Sequence, residues 1–281
     1  MSAMGLKKTV FDAAAGAFVA ALGLERATKL SCGLAEKISP VYRVEKGDLR
    51  LLFHCPNELT RSRAETFFDK EPETLEWIDG FGKGETLFDV GANVGLYTLY
   101  AASKGAKVYA FEPESQNYAL LNRNVYLNGL GERVTALNVA LSDQDALGAL
   151  NLPRFYAGSA LNNFGENLNW KRERYEPAFR QGVIAFSLDS FLARHPEAFP
   201  AHLKIDVDGA EIKIVLGAEK TLRDPRLKSM LVEINEDLPE DVAIVEKAAA
   251  AGLRVLHKKH SDMIARSEFG RLYNYVFVRS N

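Results

Sequence analysis

Acidic, amide and glycine residues gather in short segments of this sequence, each at the end of an apolar run. The first is Asp89-Val90-Gly91-Ala92-Asn93-Val94-Gly95, which follows the apolar run Thr86–Val90. Gly91 and Gly95 allow a tight turn and a close approach of the backbone to a ligand. The next apolar run ends at Glu112, 21 residues after Gly91, where a carboxylate can accept hydrogen bonds from ribose hydroxyls. The segment therefore predicts a nucleoside-binding turn between a strand and a helix.

The residue types in this turn favour a cationic nucleoside over a dinucleotide. A dinucleotide motif, G-x-G-x-x-G, directs backbone amides at a pyrophosphate, but here Asn93 replaces the second glycine and Leu96 the third. Asp89 would repel a phosphate and attract a cation. S-adenosylmethionine has a ribose, an ammonium and a sulfonium but no phosphate. The residues predicted to bind it are Asp89, Gly91, Asn93, Gly95 and Glu112.

A third run, Val134–Leu141, leads into Ala140-Leu141-Ser142-Asp143. A cofactor that lies across the first three strands would place its adenine there, so Ala140 and Ser142 are its predicted contacts. A Ser-Asp pair after a strand is also a common turn, and the prediction depends on the other segments.

The fourth segment, Leu203-Lys204-Ile205-Asp206-Val207-Asp208-Gly209-Ala210-Glu211, supplies the candidate catalytic residues. Methyl transfer to oxygen needs an aligned acceptor hydroxyl whose proton is removed or whose oxygen is polarised. Asp206, at a strand end beside the cofactor, is predicted to be the base. Asp208 and Glu211 are further catalytic candidates, and their spacing also fits a capping box with Asp208 as the N-cap.

A metal-assisted reaction is an alternative for the same strand ends. Asp206 together with Glu233 and Asn235, which close the following apolar run, could supply three oxygen ligands to Mg²⁺. The metal would acidify the acceptor hydroxyl as a Lewis acid. Glu233 and Asn235 could instead orient substrate or cap the next element. The Asp206-Val207-Asp208 triplet also resembles the acidic motif of metal-dependent glycosyltransferases, which would not explain Asp89 and Glu112.

Strands that alternate with helices from residue 86 onward predict an α/β fold with a doubly wound, mostly parallel sheet covered on both faces. The last two strands, Leu253–Leu256 and Tyr273–Val278, have no helix between them, so one of them is expected to be antiparallel. Residues 1–80 are expected to form an extension of helices and a small hairpin that packs on a core domain of residues 81–281. An irregular insertion is expected at about 143–182, either as a binding loop or as a solvated segment.

Two segments of the extension have alternative interpretations. The apolar stretch Val10–Leu24 is too short to span a bilayer and is expected to form a helix that packs on the domain or on a partner; contact with a membrane surface stays open. The charged segment Arg61–Trp77 could close over the cofactor or form a solvated helix.

The combined motifs resemble the FkbM family of S-adenosylmethionine-dependent methyltransferases. The resemblance is based on Phe88–Thr98, Ala110-Phe111-Glu112-Pro113, residues 140–143, Lys204–Glu211 and Tyr273–Val278, and it covers roughly residue 71 to the C-terminus. It implies a class I methyltransferase fold with a Rossmann-like seven-stranded sheet and O-methylation of sugar hydroxyls or secondary metabolites. It also implies that Asp89, Gly91, Asn93 and Gly95 hold the methionine part and Glu112 the ribose.

Composition limits the other functions. The chain has 281 residues and a net charge of −2, which disfavours a general nucleic-acid binder. Its two cysteines, Cys32 and Cys55, form no CxxC motif, so a zinc–cysteine site is not expected. So few cysteines are typical of a protein in a reducing compartment, and we expect a cytoplasmic location. The sequence predicts an O-methyltransferase that acts on a sugar hydroxyl of a glycan, glycolipid or glycosylated metabolite. A non-sugar metabolite acceptor, a nicotinamide-linked oxidoreductase and a cofactor-binding adaptor are the alternatives.

Overall fold

The computed structural model describes residues 3–279, with side chains from residue 12 onward. The chain divides into two compact units, residues 1–40 and 41–281. The first unit holds two helices, α1 (Ala3–Leu22) and α2 (Leu24–Lys37). Leu30 and Leu34 on α2 are exposed. The side chains of Val10 and Phe11, which belong to the predicted apolar helix, lie outside the described residues.

The second unit contains the remaining helices and strands. Its strands are β1 (Val41–Lys46), β2 (Leu49–His54), β3 (Thr86–Val90), β4 (Lys107–Phe111), β5 (Val134–Leu137), β6 (Ala140–Ser142), β7 (Ala146–Leu152), β8 (Asn163–Phe164), β9 (Phe179–Ser187), β10 (His202–Ile205), β11 (Ser229–Asn235), β12 (Leu253–Lys259) and β13 (Leu272–Arg279). Its α-helices are α3 (Glu58–Glu65), α4 (Phe67–Lys70), α5 (Pro72–Asp79), α6 (Leu96–Ser103), α7 (Ser115–Leu127), α8 (Leu188–Arg194), α9 (Glu211–Leu216), α10 (Glu219–Arg223), α11 (Pro239–Ala250) and α12 (Asp262–Ala265). A short 3₁₀ helix covers Pro196–Ala198.

The main sheet has seven strands in the order β12-β13-β11-β10-β3-β4-β5. Neighbouring strands from β11 to β5 are parallel, and β13 is antiparallel to both β11 and β12. The predicted doubly wound, mostly parallel α/β fold is confirmed, as is the antiparallel strand near the C-terminus. The chain leaves β3 toward β4 and β5 and returns as β10 on the other side, so a crevice is expected at the carboxyl ends of β3 and β10.

The central strands are buried on both faces because helices cover each side of the sheet. Leu87 of β3 belongs to one hydrophobic cluster, and its neighbour Phe88 belongs to the other. This alternation follows from the two-residue period of a strand. It explains why β3 reads as a continuous apolar run that ends in the polar turn.

The hairpin of β1 and β2 and the helices α3 to α5 pack into the core. Phe53, Phe67 and Trp77 lie in the same hydrophobic cluster as Leu99 of α6. The contacts therefore divide the chain after residue 40, whereas the sequence suggested a boundary at residue 80. The difference arises because the charged segment 61–77 buries one apolar face.

A second sheet replaces much of the expected irregular insertion. Its four strands follow the order β6-β9-β7-β8, with β7 and β9 antiparallel over seven residue pairs. β6, expected to continue the third strand of the main sheet, pairs with β9 instead. Residues 153–162 and 165–178 remain without regular strands or helices. Across residues 3–279, none of the helices has the length and apolar content that a bilayer span requires.

Candidate functional site

The turn between β3 and α6 packs tightly against the end of β10. Gly91, Asn93 and Gly95 all have positive φ angles, of 81°, 51° and 89°. A Cβ atom on Gly91 would lie 1.8 Å from the carbonyl oxygen of Asp206. A glycine is therefore required here both by backbone conformation and by the proximity of β10.

Two buried carboxylates flank this turn. Asp89 is 1% exposed; its Oδ2 accepts a hydrogen bond from Thr98 at 2.5 Å, and its Oδ1 is buried with no hydrogen-bond partner. Glu112 accepts hydrogen bonds from the backbone amides of Asn93, at 2.7 Å, and Glu114, at 2.9 Å. Burial raises the pKa of Glu112 to about 7 despite these amides. Both predicted cofactor residues thus lie at adjacent strand ends.

A small apolar cavity of about 40 Å³ lies beside the turn. Gly91, Phe111 and Ala140 line it, together with Asn162, whose buried Oδ1 has no hydrogen-bond partner. Ala140, a predicted adenine contact, therefore lies on the same small cavity as Gly91 and Phe111. Ser142 is not among the lining residues, and its hydroxyl donates to Asp143.

Residues 157–161, here called the strap, lie against the turn. The carbonyl oxygen of Ser159 accepts hydrogen bonds from the side-chain amides of Asn93 and Asn117, each at 3.0 Å. The amide of Gly158 donates to Asn117 Oδ1 at 2.7 Å, and Arg63 Nε donates to the Gly158 carbonyl at 2.8 Å. Asn93, expected to bind the methionine part of a cofactor, uses its side-chain amide to fix the strap.

A larger cavity of about 550 Å³ opens at the carboxyl ends of β10 and β11. Arg63 and Lys70, from the segment expected to close over the site or to be solvated, contribute to its wall. The aromatic residues Tyr156, Trp170 and Phe269 line it as well. Its acidic lining residues are Asp206, Asp208, Glu211, Glu233, Asp241 and Glu268. The cavity is thus rich in carboxylates and aromatic rings.

A buried lysine connects the two carboxylates that the sequence assigned to cofactor and catalysis. Lys204 is 1% exposed, and its Nζ lies 2.7 Å from Asp206 Oδ2 and 3.9 Å from Asp89 Oδ1. Nearby Asp206, Asp89 and Glu71 raise the pKa of Lys204 although burial opposes the charge. Lys204 was not predicted as a site residue, although a lysine between two apolar strand residues is itself a signal of a buried partner.

Asp208 and Glu211 do not form the expected capping box. Asp208 has a φ of 60°, and its Oδ2 accepts a hydrogen bond from the amide of Leu161 in the strap. Helix α9 starts at Glu211 with Ala210 as its N-cap. Glu211 accepts from the amides of Val207 and Gly209, and burial raises its pKa to about 8. Because Asp208 has a positive φ and lies two residues before the N-cap Ala210, it does not cap helix α9.

The structure gives the proposed Mg²⁺ ligand set no support. Asn235 uses both ends of its side-chain amide: Nδ2 donates to the Trp170 carbonyl and Oδ1 accepts from the Asp237 amide. Asp206 is paired with Lys204. Among the residues that the structure describes, no group of three or more His, Cys, Asp or Glu side chains is placed to hold a metal ion.

The residues around the turn fit an S-adenosyl nucleoside. Asp89 Oδ1 has no hydrogen-bond donor, although Lys204 Nζ lies 3.9 Å away, and it can accept a hydrogen bond from a ligand. Asn162 Oδ1, also without a donor, can accept a hydrogen bond from an amino group. Ala140 and Phe111 supply apolar surface beside Asn162. Glu112 supplies a carboxylate at the end of β4.

Comparison with known proteins identifies a methyltransferase family. A family model described as the Methyltransferase FkbM domain matches residues 89–276. The methyltransferase sdnD of Sordaria araneosa is 33% identical over 158 residues, which cover 48% of this chain and 60% of that protein. The 31-O-demethyl-FK506 methyltransferase FkbM of Streptomyces tacrolimicus is 25% identical over 177 residues, which cover 54% of this chain and 66% of that protein. The chain thus spans roughly 60% to 66% of the curated relatives it matches.

Solved structures show more distant likeness. TYW2 of P. horikoshii, in complex with MeSAdo, is 12% identical with a TM-score of 0.44; the match covers 86% of this chain and 73% of that one. A similarity of this size gives no information about the reaction of this chain.

Proposed function

The chain belongs to the FkbM methyltransferase family, and from that premise we propose that it is an S-adenosylmethionine-dependent O-methyltransferase. Its proposed acceptor is a sugar hydroxyl of a glycan, a glycolipid or a glycosylated metabolite. The family match covers the turn after β3 and the carboxyl ends of β3 and β10, which border the crevice. It therefore includes the residues to which we assign cofactor and acceptor.

The cavity at the ends of β10 and β11 carries the proposal. Asp206, Asp208 and Glu233 line it, and carboxylates are good acceptors for the hydroxyl groups of a sugar. Tyr156 and Trp170 add aromatic surface that can cover an apolar sugar face. A cavity of about 550 Å³ is within the usual range for small-molecule sites.

The proposed division of labour follows the strand ends. Asp89, Glu112, Ala140 and Asn162 would hold S-adenosylmethionine, which supplies an electrophilic methyl group when bound. Asp206 engages Lys204 through Oδ2, which leaves Oδ1 for the acceptor. Asp206 Oδ1 would accept a hydrogen bond from the acceptor hydroxyl, fix the orientation of its oxygen and take up its proton. The bound cofactor would supply the methyl group as its sulfur–methyl bond breaks, with S-adenosylhomocysteine as the leaving group. Glu211 is assigned to the wall of the cavity rather than to proton transfer, since backbone amides engage both of its oxygens. Asp208 is assigned to holding the strap, since its Oδ2 accepts from the Leu161 amide.

A non-sugar metabolite is the second candidate acceptor. The relative from Streptomyces tacrolimicus carries a name that specifies methylation at an oxygen of FK506. That name supports methyl transfer to an oxygen atom. The acceptor of this chain has to be identified by experiment.

Isothermal titration calorimetry with S-adenosylhomocysteine tests the cofactor assignment. The wild-type chain is expected to bind it, and Asp89→Ala and Glu112→Ala are each expected to weaken binding by about tenfold or more, since each removes a buried carboxylate partner. Asp143→Ala, next to Ser142 but outside both cavities, is the control. Unchanged affinity in both variants, or preferential binding of NAD, would refute the assignment.

A further inference from the structure

Three carboxyl groups of the large cavity lack a cationic partner. They are Glu211, Glu233 and Asp241, here called the acidic corner. Two other acidic groups of the lining have a cationic partner: Lys204 pairs with Asp206, and Lys171 lies 3.7 Å from Glu268. Burial and Asp206 raise the pKa of Asp208, and Arg63 and Lys70 oppose that shift. Among the described residues, no ion pair involves a member of the acidic corner.

The hydrogen bonds of the acidic corner leave acceptor capacity unused. Glu233 has no hydrogen-bond partner among the described side chains and backbone groups, and it is only partly buried because it faces the cavity. Asp241 is 2% exposed. Its Oδ2 accepts a long hydrogen bond of 3.4 Å from the backbone amide of Asn235, and its Oδ1 has no hydrogen-bond partner. A buried oxygen without a donor is costly unless a ligand satisfies it.

Mutual repulsion adds to this cost. Burial and the charges of Asp206, Asp208, Glu211 and Glu71 raise the pKa of Glu233 well above its ordinary value. Burial raises the pKa of Asp241 to about 6. Arg172 opposes this shift, but its Nε is paired with Glu240 at 2.9 Å. A cation placed among these groups would be strongly stabilised.

The geometry favours an organic cation over a metal ion. The described residues contain no group of three acidic, histidine or cysteine side chains placed around one ion. The cavity beside the acidic corner is large, and the rings of Trp170 and Phe269 border it. A protonated amine on a larger molecule can reach separated carboxylates through several N–H donors and contact an aromatic ring as well.

We propose that the methyl acceptor carries a protonated amine, which binds at the acidic corner through Glu233 and Asp241. This inference rests on the proposed function, since it assigns the acceptor to this cavity. The acceptor class is then a hydroxyl-bearing amine, such as an amino sugar. Asp206 receives the reacting hydroxyl, and the amine fixes the orientation of the molecule relative to it.

A binding experiment tests this proposal without turnover. The probes are glucosamine and N-acetylglucosamine, titrated by saturation-transfer NMR into the full chain with S-adenosylhomocysteine present. Glucosamine is expected to bind about tenfold more tightly, because a charge-assisted hydrogen bond is lost on acetylation. Asp241→Asn and Glu233→Gln should each abolish the difference. Glu246→Gln, at an exposed position of the same helix as Asp241 and outside the cavity lining, should preserve it.

Two further results decide between explanations. Equal binding of the two probes, or a preference for N-acetylglucosamine, would overturn the proposal. If Asp241→Asn weakens the binding of S-adenosylhomocysteine as much as that of glucosamine, the acidic corner binds the ammonium group of the cofactor. In that case the proposal also fails. Failure of the proposed function gives a different pattern, since S-adenosylhomocysteine would not bind while the probes would still report on the acidic corner.

The product of methyl transfer gives an independent readout. Labelled product formed in a cell extract is expected to bind a cation exchanger at about pH 6 and to flow through after N-acetylation, since amines keep their charge at that pH. If the labelled product flows through the exchanger without N-acetylation, the chain is still a methyltransferase, but its acceptor carries no amine and the proposal is wrong.

Discussion

Lys204 determines how the charges of the site are balanced. Its side chain is nearly fully buried and forms ion pairs with both Asp206 and Asp89. The negative charge of Glu71 also helps to raise the pKa of Lys204. Without it, two carboxylates at adjacent strand ends would face each other without a counter-charge. Buried pairs of this kind contribute little net stability compared with apolar residues, but removal of one partner is expensive. We therefore expect Lys204 to be a positioning residue for Asp206.

Replacement of this lysine tests its role. Lys204→Met should reduce the free energy of unfolding by about 3–5 kcal/mol, because it leaves buried carboxylates unpaired. Urea unfolding measures the loss, and Lys228→Met, at an exposed lysine paired with Glu85, should cost less than about 1 kcal/mol. In Lys204→Arg, which keeps the charge, acceptor turnover should fall more than cofactor affinity. Equal stability of Lys204→Met and the wild type would show that Asp206 and Asp89 need no counter-charge.

The position of the proposed cofactor residues at strand ends could be predicted from the sequence because it is a local property. Asp89, Gly91 and Glu112 lie at the ends of short apolar runs, where residue type and spacing carry the information. The partners of those residues could not be predicted in the same way. Ser159 and Asn162 approach the turn from the irregular segment between β7 and β8, across contacts that link residues far apart in the sequence.

The strap is the element that contacts both the turn after β3 and Asp208 after β10. Its backbone is fixed by Asn93 of the turn, Asn117 of α7 and Asp208 beyond β10. It therefore lies against both the cofactor turn and the wall of the acceptor cavity. Its stability should depend on a few side-chain hydrogen bonds rather than on strand pairing.

Asn117 offers a direct test of this element. Asn117→Ala removes the bonds to Ser159 and Gly158 and should increase hydrogen exchange at the strap amides, with a loss of about 1–3 kcal/mol in local stability. Asn122→Ala, on the same helix, removes only an exposed bond to Tyr118 and serves as the control. Exchange rates that match between the two variants would mean that the strap is held by other contacts.

At the element level the sequence predicts the parallel core well and the second sheet poorly. Each central strand is a buried apolar run followed by a helix, which fixes its type and neighbours. β7 and β9 pair through residues that lie 27 to 39 positions apart, from Leu152 with Phe179 to Ala146 with Ala185, and no helical or turn signal marks that pairing. The region was therefore expected to be irregular, although only its middle part is.

The whole molecule carries several buried acids whose pKa values are raised. Those of Glu112, Glu211 and Asp241 reach about 7, about 8 and about 6, from ordinary values near 4. The folded chain therefore holds protons that the unfolded chain releases. The contribution to stability is complete below the ordinary pKa values and is lost as the pH rises through the folded ones.

We expect the ligand-free chain to lose stability between about pH 5 and about pH 8. Urea unfolding at several pH values measures this slope. Glu211→Gln should flatten it, because the amide cannot ionise, and Glu219→Gln on the exposed side of α10 should not. A stability that rises over this range would mean that these carboxyls are ionised in the folded chain.

The most direct test of the account is methyl transfer itself. Labelled S-adenosylmethionine is incubated with the chain and a fractionated extract of cells that lack it, and the labelled product is analysed by mass spectrometry. We expect label in a glycan, glycolipid or glycosylated metabolite as a base-stable methyl ether, and its loss with Asp206→Asn. Label on nitrogen, in a base-labile ester or in no acceptor while S-adenosylhomocysteine still binds would contradict the proposed O-methyltransferase.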